Sequence, residues 1–203
     1  MAHRIICIGR QFGSGGHEIA QKLANRLGMA FYDRNLIAMA SERGGIRMSK
    51  LEPADERLTN PWLYEGLNEE NQKTGHGLPA SDALFQLQSQ IITEAALKED
   101  CVIVGRCGGY VLEQQQIHRL SLFVCAPFQF RVKRKMEQEQ LTEKAAAALV
   151  RKQDKYRKAY YHYYTGGDWG TPDTYDLCVN SALLGIDATV DMLCTALNVL
   201  KPL

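Results

Sequence analysis

Between the apolar run Ile5-Ile6-Cys7-Ile8 and an amphipathic stretch starting near Glu18 lie Gly9-Arg10-Gln11-Phe12-Gly13-Ser14-Gly15-Gly16. Glycines at this density let a backbone turn back on itself and approach an anion with no Cβ in the way. Between a strand and a helix, such a loop aims consecutive N–H groups and the positive end of the helix dipole at a phosphate. A plain tight turn uses the same residues, but this position, after the first strand and before an amphipathic helix, favours phosphate binding. A loop of this kind usually ends in Gly-Lys-Ser/Thr, the lysine reaching the β/γ-phosphates and the hydroxyl taking Mg²⁺. Gly16 and His17 or Glu18 stand in those places here. The missing ammonium would have neutralised charge on a transferred group. Arg10 is therefore the nearest substitute cation and Ser14 the nearest hydroxyl for a metal. A loop that binds phosphate without turnover is the alternative reading.

Further cations complete the set. Arg106 follows Cys101-Val102-Ile103-Val104-Gly105, so it projects from the carboxyl edge of a strand, where open α/β sheets bind ligands. Asp33-Arg34 closes the second short strand at the same edge. Arg131 and Arg134, three apart, share one side of a helix. Arg151, Asp154, Lys155 and Lys158 share a helix face by their i, i+3, i+4, i+7 spacing, and Arg157 stands three residues beyond Asp154. Each also has a plain reading: Arg106 as a solvated strand-end arginine, Asp33 as a helix N-cap, the basic helix as a solvated face. Tyr156, Tyr160, Tyr161, Tyr163 and Tyr164 interleave with these cations too densely for a simple stripe. Packing in the core and against a lid explains them better than stacking on a base. The histidines show no ligand spacing, so no zinc site is assigned.

These residues need elements to position them. Short β-branched runs alternate with longer helical patterns, the signature of crossover units and a parallel sheet. The expected strands are Arg4–Ile8, Met29–Tyr32, Cys101–Val104, Leu120–Cys125 and Asp176–Asn180. Helices are expected over Ile19–Leu27, ended by Gly28, from about Asn35 to Arg43, from Ser81 along Leu84, Leu87, Ile91 and Ala95, after Pro127, over about Thr142–Tyr164, and along Ile186, Val190, Leu193 and Leu197. The stretch 46–80 is polar and rich in proline and glycine, and reads as an insert or a substrate-side segment.

At 203 residues the chain has the length of one domain with at most a small lid. Its 24 Lys+Arg against 23 Asp+Glu leave a net charge of +1, with no general attraction to nucleic acid or anionic membrane. No segment approaches the roughly 18 apolar residues of a membrane span. Six cysteines without a C-x-x-C pair, four of them inside strand-like runs, read as small buried hydrophobes in a reducing cytoplasm.

Arg10-Gln11-Phe12-Gly13-Ser14-Gly15-Gly16-His17-Glu18-Ile19-Ala20, Phe31-Tyr32-Asp33-Arg34, Val104-Gly105-Arg106, Asp154-Lys155-Tyr156-Arg157 with Tyr160-Tyr161, and Tyr175-Asp176-Leu177-Cys178-Val179-Asn180-Ser181 together resemble the cytidylate kinase-like family. The resemblance implies a three-layer α/β P-loop NTPase fold, a parallel sheet flanked by helices, in a single domain. It adds a monophosphate-side segment at about 33–95 and a helical lid at about 131–160. It implies Mg²⁺-ATP as donor and a pyrimidine nucleoside monophosphate, CMP or dCMP, as acceptor. By this resemblance Gly13, Ser14, Gly15, Gly16, His17, Arg131 and Arg134 bind ATP. Asp33, Arg34, Arg106 and Asp154 hold the acceptor, and Arg157, Arg151 and Arg10 meet the charge in flight. A kinase for another small metabolite and a non-catalytic nucleotide-binding protein are the rival readings.

Overall fold

A computed structural model of the chain describes residues 3–58 and 80–199. Its five strands are β1 (Ile5–Arg10), β2 (Ala30–Tyr32), β3 (Cys101–Val104), β4 (Leu120–Cys125) and β5 (Leu177–Asn180). They form one parallel sheet in the order β2-β3-β1-β4-β5. Helices α1 (Gly16–Leu27) and α8 (Ser181–Val199) cover one face. Helices α2 (Asn35–Gly44), α3 (Met48–Leu51), α4 (Ala80–Lys98) and α5 (Gly108–Gln114) cover the other. Burial on both faces explains why the central strands read as unbroken apolar runs. Ile6, Ile8, Val102, Val104, Leu122 and Val124 point into the α1/α8 layer, and Ile5, Cys7, Cys101 and Ile103 into the opposite one. A helical hairpin, α6 (Phe128–Glu139) and α7 (Glu143–Thr165), packs Val132 against Ala146 and Val150 and takes in Phe12 of the glycine-rich loop.

The expected elements are present with shifted ends. β1 runs past Ile8 because Gly9 and Arg10 pair with Phe123 and Val124. Arg10 is thus the last residue of a strand and not part of the loop. The space over Gly9 suits only a glycine, since a Cβ there would come 2.9 Å from the Phe123 ring. The closing helix is interrupted at Gly185, so its regular part begins at Ile186. Of the segment 46–80, residues 46–58 run through α3 and a 3₁₀ turn (Glu52–Ala54), while 59–79 lie outside the described residues.

No described helix is long and apolar enough to cross a membrane. All six cysteines are free, with Cys7, Cys101 and Cys107 buried and Cys178 exposed. Burial pushes the Cys101 thiol up to about 12 and those of Cys7 and Cys107 higher still. Iodoacetamide at neutral pH is therefore expected to label Cys178 first. The three buried thiols should react only on unfolding, as peptide mass spectrometry would show.

The topology determines where a ligand belongs. From β1 the chain crosses to the β2 side of the sheet, and from β3 it crosses back over β1 to β4. The carboxyl ends of β1 and β3 therefore flank the point where the connections diverge, the usual crevice for ligands in open α/β sheets. Arg10 ends one of these strands, and Gly105-Arg106 follows the other.

Candidate active site

The glycine-rich loop leaves β1 and enters α1 through two left-handed residues, Gly13 (φ 81°) and Gly15 (φ 82°). A Cβ on Gly13 would stand 3.0 Å from the Arg131 carbonyl oxygen, and one on Gly15 would run into Ile186. The loop is braced from outside. Gln11 Oε1 accepts from the Ala126 amide at 3.1 Å. The Phe12 amide donates to Asp154 Oδ1 at 2.8 Å, and Arg131 Nη1 donates to both Asp154 Oδ2 (2.5 Å) and the Phe12 carbonyl (3.1 Å). Arg131 and Asp154 thus both engage the Phe12 backbone, in a position to shape the loop. Ser14 is completely buried, and its hydroxyl donates to the Gln11 carbonyl at 2.8 Å. It faces the loop interior, an orientation that does not fit a metal ligand in the cleft.

Beside the loop lies a buried cluster of arginines and carboxylates. Arg106 is only 2 % exposed. Its Nε and Nη2 donate to Asp55 at 3.0 and 2.7 Å, while Nη1 donates to Asp33 Oδ1 and to the Val104 carbonyl. Arg10 Nη1 donates to Glu56 Oε1 at 2.5 Å. Arg157 Nε donates to Glu56 Oε2 at 3.1 Å, and its Nη1 donates to the Arg10 carbonyl at 3.1 Å. The Glu56 carboxylate therefore sits between arginines from β1 and α7, on a left-handed backbone (φ 52°). Gly105 (φ 74°) lets the strand end pass close to this pair, since any Cβ there would collide with both Arg10 and Glu56.

Burial alone would raise the Asp33 and Glu56 carboxyls, but the neighbouring guanidiniums hold both below the usual carboxylate range. For Asp33 these are Arg106 and Arg10; for Glu56 they are Arg10, Arg157 and Arg106. Burial and the like charge of Arg10 bring Arg157 down to about 10, although Glu56 pulls the other way. Arg106, with three carboxylates around it, is held up in spite of its burial. Carboxyls depressed in the folded state contribute stability above their unfolded pKa and lose it as pH falls through the folded one. Stability in urea is expected to be flat near neutrality and to fall below about pH 4. Glu56→Gln should make that fall shallower; an unchanged slope would place the acid sensitivity elsewhere.

A cleft of about 790 Å³ joins the glycine-rich loop to this cluster. Seven Arg or Lys side chains line it against five carboxylates. His17 Nδ1 lies 2.6 Å from Asp33 Oδ2, which links the start of α1 to the cluster. Arg134 borders Gly15 and donates to Glu18 Oε2 at 2.6 Å. Arg34 is exposed at the start of α2 and also lines the cleft. Asp33 does not cap α2: Arg34 holds the N-cap position, and the Asp33 carboxylate faces Arg106 and His17. Arg151 lies apart, exposed and stacked over the Phe128 ring at 4.6 Å, outside the lining of the cleft.

The structure thus brings together Arg10, Gly13, Gly15, Gly16, His17, Asp33, Arg34, Arg106, Arg134 and Arg157. It adds Asp55 and Glu56, which the sequence showed only as acidic residues in a polar stretch. Their signal would have been the requirement of two buried arginines for carboxylate partners, a signal that exists only once Arg10 and Arg106 are known to be buried.

Comparison with known proteins gives a consistent picture. The model of the cytidylate kinase-like family matches residues 5–183. A cytidylate kinase from Ignicoccus hospitalis is 23 % identical over 189 residues, covering 92 % of this chain and 95 % of that protein. An uncharacterized protein from Eubacterium ventriosum of known crystal structure superposes with a TM-score of 0.72 at 28 % identity, over 98 % of this chain and all of that one. The shikimate kinase of Bacteroides thetaiotaomicron superposes with a TM-score of 0.57 at 14 % identity, over 97 % of this chain and 99 % of that one. The architecture is that of the P-loop kinases.

Proposed function

The chain belongs to the cytidylate kinase-like family, and from that premise we propose that it transfers the γ-phosphoryl of ATP to a pyrimidine nucleoside monophosphate, CMP or dCMP. The observation that carries this reading is the gathering of three arginines beside the glycine-rich loop: Arg10 and Arg157 meet on Glu56, and Arg106 stands next to them on Asp33, which Arg10 also approaches at 3.8 Å. Transfer between two polyanions needs alignment and positive charge and little covalent chemistry. An already ionised phosphate needs no general base.

In this reading the amides of Gly13 to Gly16, with His17 and Arg134 beside them, receive the donor phosphates. Arg10 supplies the charge of the absent lysine. Arg106, Arg34 and Asp33 form the acceptor side, and Arg157 meets the charge in flight. Arg131 and Asp154 act as positioning residues through Phe12. A substrate phosphate takes over Arg10 and Arg157 from the Glu56 carboxylate, which now occupies them. Mg²⁺ accompanies the nucleotide, held chiefly by its phosphates and water. The hairpin α6–α7 serves as the lid, and free thiols suit a cytoplasmic location.

The non-catalytic reading has its own observation, since Glu56 already neutralises the cations that turnover needs. An ADP-release assay with MgATP and a panel of nucleoside monophosphates separates the two. Acceptor-dependent ADP release is expected, strongest with CMP or dCMP. A parallel thermal-shift series measures binding, because ligand at about 100 times its Kd adds about 2.7 kcal/mol to stability. Stabilisation by ATP with no ADP release on any acceptor would make the protein a nucleotide-binding regulator. No shift with any nucleotide would overturn both readings.

A further inference from the structure

We propose that Phe12 is a positioning residue for phosphoryl transfer, its ring keeping Arg157 in place when a substrate phosphate displaces Glu56. The inference rests on the phosphotransfer reading above and adds the contact that keeps the transferring cation aimed.

Phe12 is the one large apolar side chain in the stretch from Arg10 to Gly16. In a loop that receives anions such a side chain is out of place, because it offers an anion no hydrogen bond and the face of an aromatic ring is negative. Phe12 nevertheless lines the main cleft. A negative face suits cations, and two lie over it. Lys135 Nζ, from α6, is 4.4 Å from the ring centroid, and Arg157 Cζ, from α7, is 5.7 Å from it. Both lie within the roughly 6 Å over which a ring attracts a cation. Each helix of the hairpin thus sends one cation to the same side chain of the loop.

The ring is fixed by its surroundings. It packs against the hairpin core of Val132, Ala146 and Val150. Its backbone is bonded on both sides, the N–H donating to Asp154 and the carbonyl accepting from Arg131. The groups that shape the loop therefore also set the position of the ring, and the ring ties Arg157 to the loop.

This tie matters because of what else Arg157 touches. Its Nε donates to Glu56 and its Nη1 to the Arg10 carbonyl, and Glu56 is its one ion-pair partner among the described residues. In the transfer reading the bond to Glu56 is given up to the substrate phosphate. A long side chain released in this way regains rotamer freedom, which works against alignment. A carboxylate holds an arginine by taking its N–H donors, whereas an aromatic face takes none of them and leaves them for a carbonyl and a phosphate. Phe12 can therefore hold Arg157 throughout the exchange.

ADP release with MgATP and CMP, in steady-state and single-turnover form, is measured for wild type, Phe12→Leu and Phe12→Tyr, each also in the Arg157→Ala background. Phe12→Leu keeps an apolar group against the hairpin and removes the aromatic face. It should lower kcat about 10-fold, or about 1.4 kcal/mol, the scale of a partly desolvated cation–π contact, with KM for ATP within about 2-fold. Phe12→Tyr keeps the face and should stay within about 2-fold of wild type. In the Arg157→Ala background neither substitution should lower turnover further, because the ring acts through the guanidinium. An equal loss in Phe12→Leu with and without Arg157 would overturn the proposal and make Phe12 a packing residue of the loop, as would a raised KM for ATP with kcat unchanged. No acceptor-dependent turnover in wild type would overturn the transfer reading and this role together. If Phe12→Leu melts early, Phe12→Met, whose side chain adapts to irregular space, takes its place in the comparison.

Discussion

Arg157→Ala is expected to lower kcat for ADP release by about 10³-fold or more, with ATP affinity changed only a few-fold. A guanidinium that meets transition-state charge contributes about 10³ to 10⁵ in rate, or roughly 4 to 7 kcal/mol. Arg157 is placed for that role. It reaches from α7 to the end of β1, donates to the Arg10 carbonyl, and shares Glu56 with Arg10. In the substitution Glu56 keeps its bond from Arg10, so the fold should survive, as a melting curve would verify. Arg157→Lys should recover little, because an ammonium cannot hold a carboxylate or phosphate and a carbonyl in the same forked geometry. Arg151→Ala provides the contrast: that residue stacks on Phe128 away from the cleft, and its loss should leave turnover within about 2-fold, an energy change of about 0.4 kcal/mol. Unaltered turnover in Arg157→Ala would remove this residue from the reaction, and a large loss in Arg151→Ala would show that the hairpin repositions during turnover.

Arg106→Ala is expected to lower the free energy of unfolding by about 3 to 5 kcal/mol, the usual consequence of removing one partner from a buried ion pair. Arg106 satisfies Asp33, Asp55 and the Val104 carbonyl at once. Without it, two carboxylates remain in a protein interior that disfavours their charge. For a domain of this size each kcal/mol corresponds to about 2 to 4 °C. Urea midpoints at neutral pH give the magnitude. Arg106→Met combined with Asp33→Asn and Asp55→Asn should recover part of the loss, because the damage comes from the stranded carboxylates more than from the missing arginine. A loss below about 1 kcal/mol, the level of an exposed pair, would mean that water reaches the cluster.

Much of the architecture follows from local patterns. All five strands were legible because apolar runs between turn residues leave little alternative, and the glycine-rich loop because Gly13 and Gly15 need left-handed backbone that other residues resist. Arg106 was legible as a candidate because a strand's carboxyl end in a parallel sheet is where ligands bind, and it does line the cleft. The basic helix was legible as a helix but not as to which of its arginines matters. Arg151 and Arg157 lie six residues apart, about 240° around the axis at about 100° per residue, so they face different ways. Which one faces the site depends on how α7 packs its Ala146 and Val150 onto Val132 of α6.

The charge pairing was the least legible part. Glu56 meets Arg10 across 46 residues and Arg157 across 101, and Asp154 meets Phe12 across 142. No periodicity connects such positions, and near-neutral composition says only that opposite charges are available. Local patterns, each written within one or two turns of chain, were enough to establish an α/β chain with a glycine-rich loop after its first strand and cations at strand ends. Which carboxylate neutralises which arginine, and which backbone amide Asp154 holds, were decided only when the crossovers brought the ends of β1 and β3 together. There, removal from water makes every unpaired charge costly, and the partners are selected by distance in space.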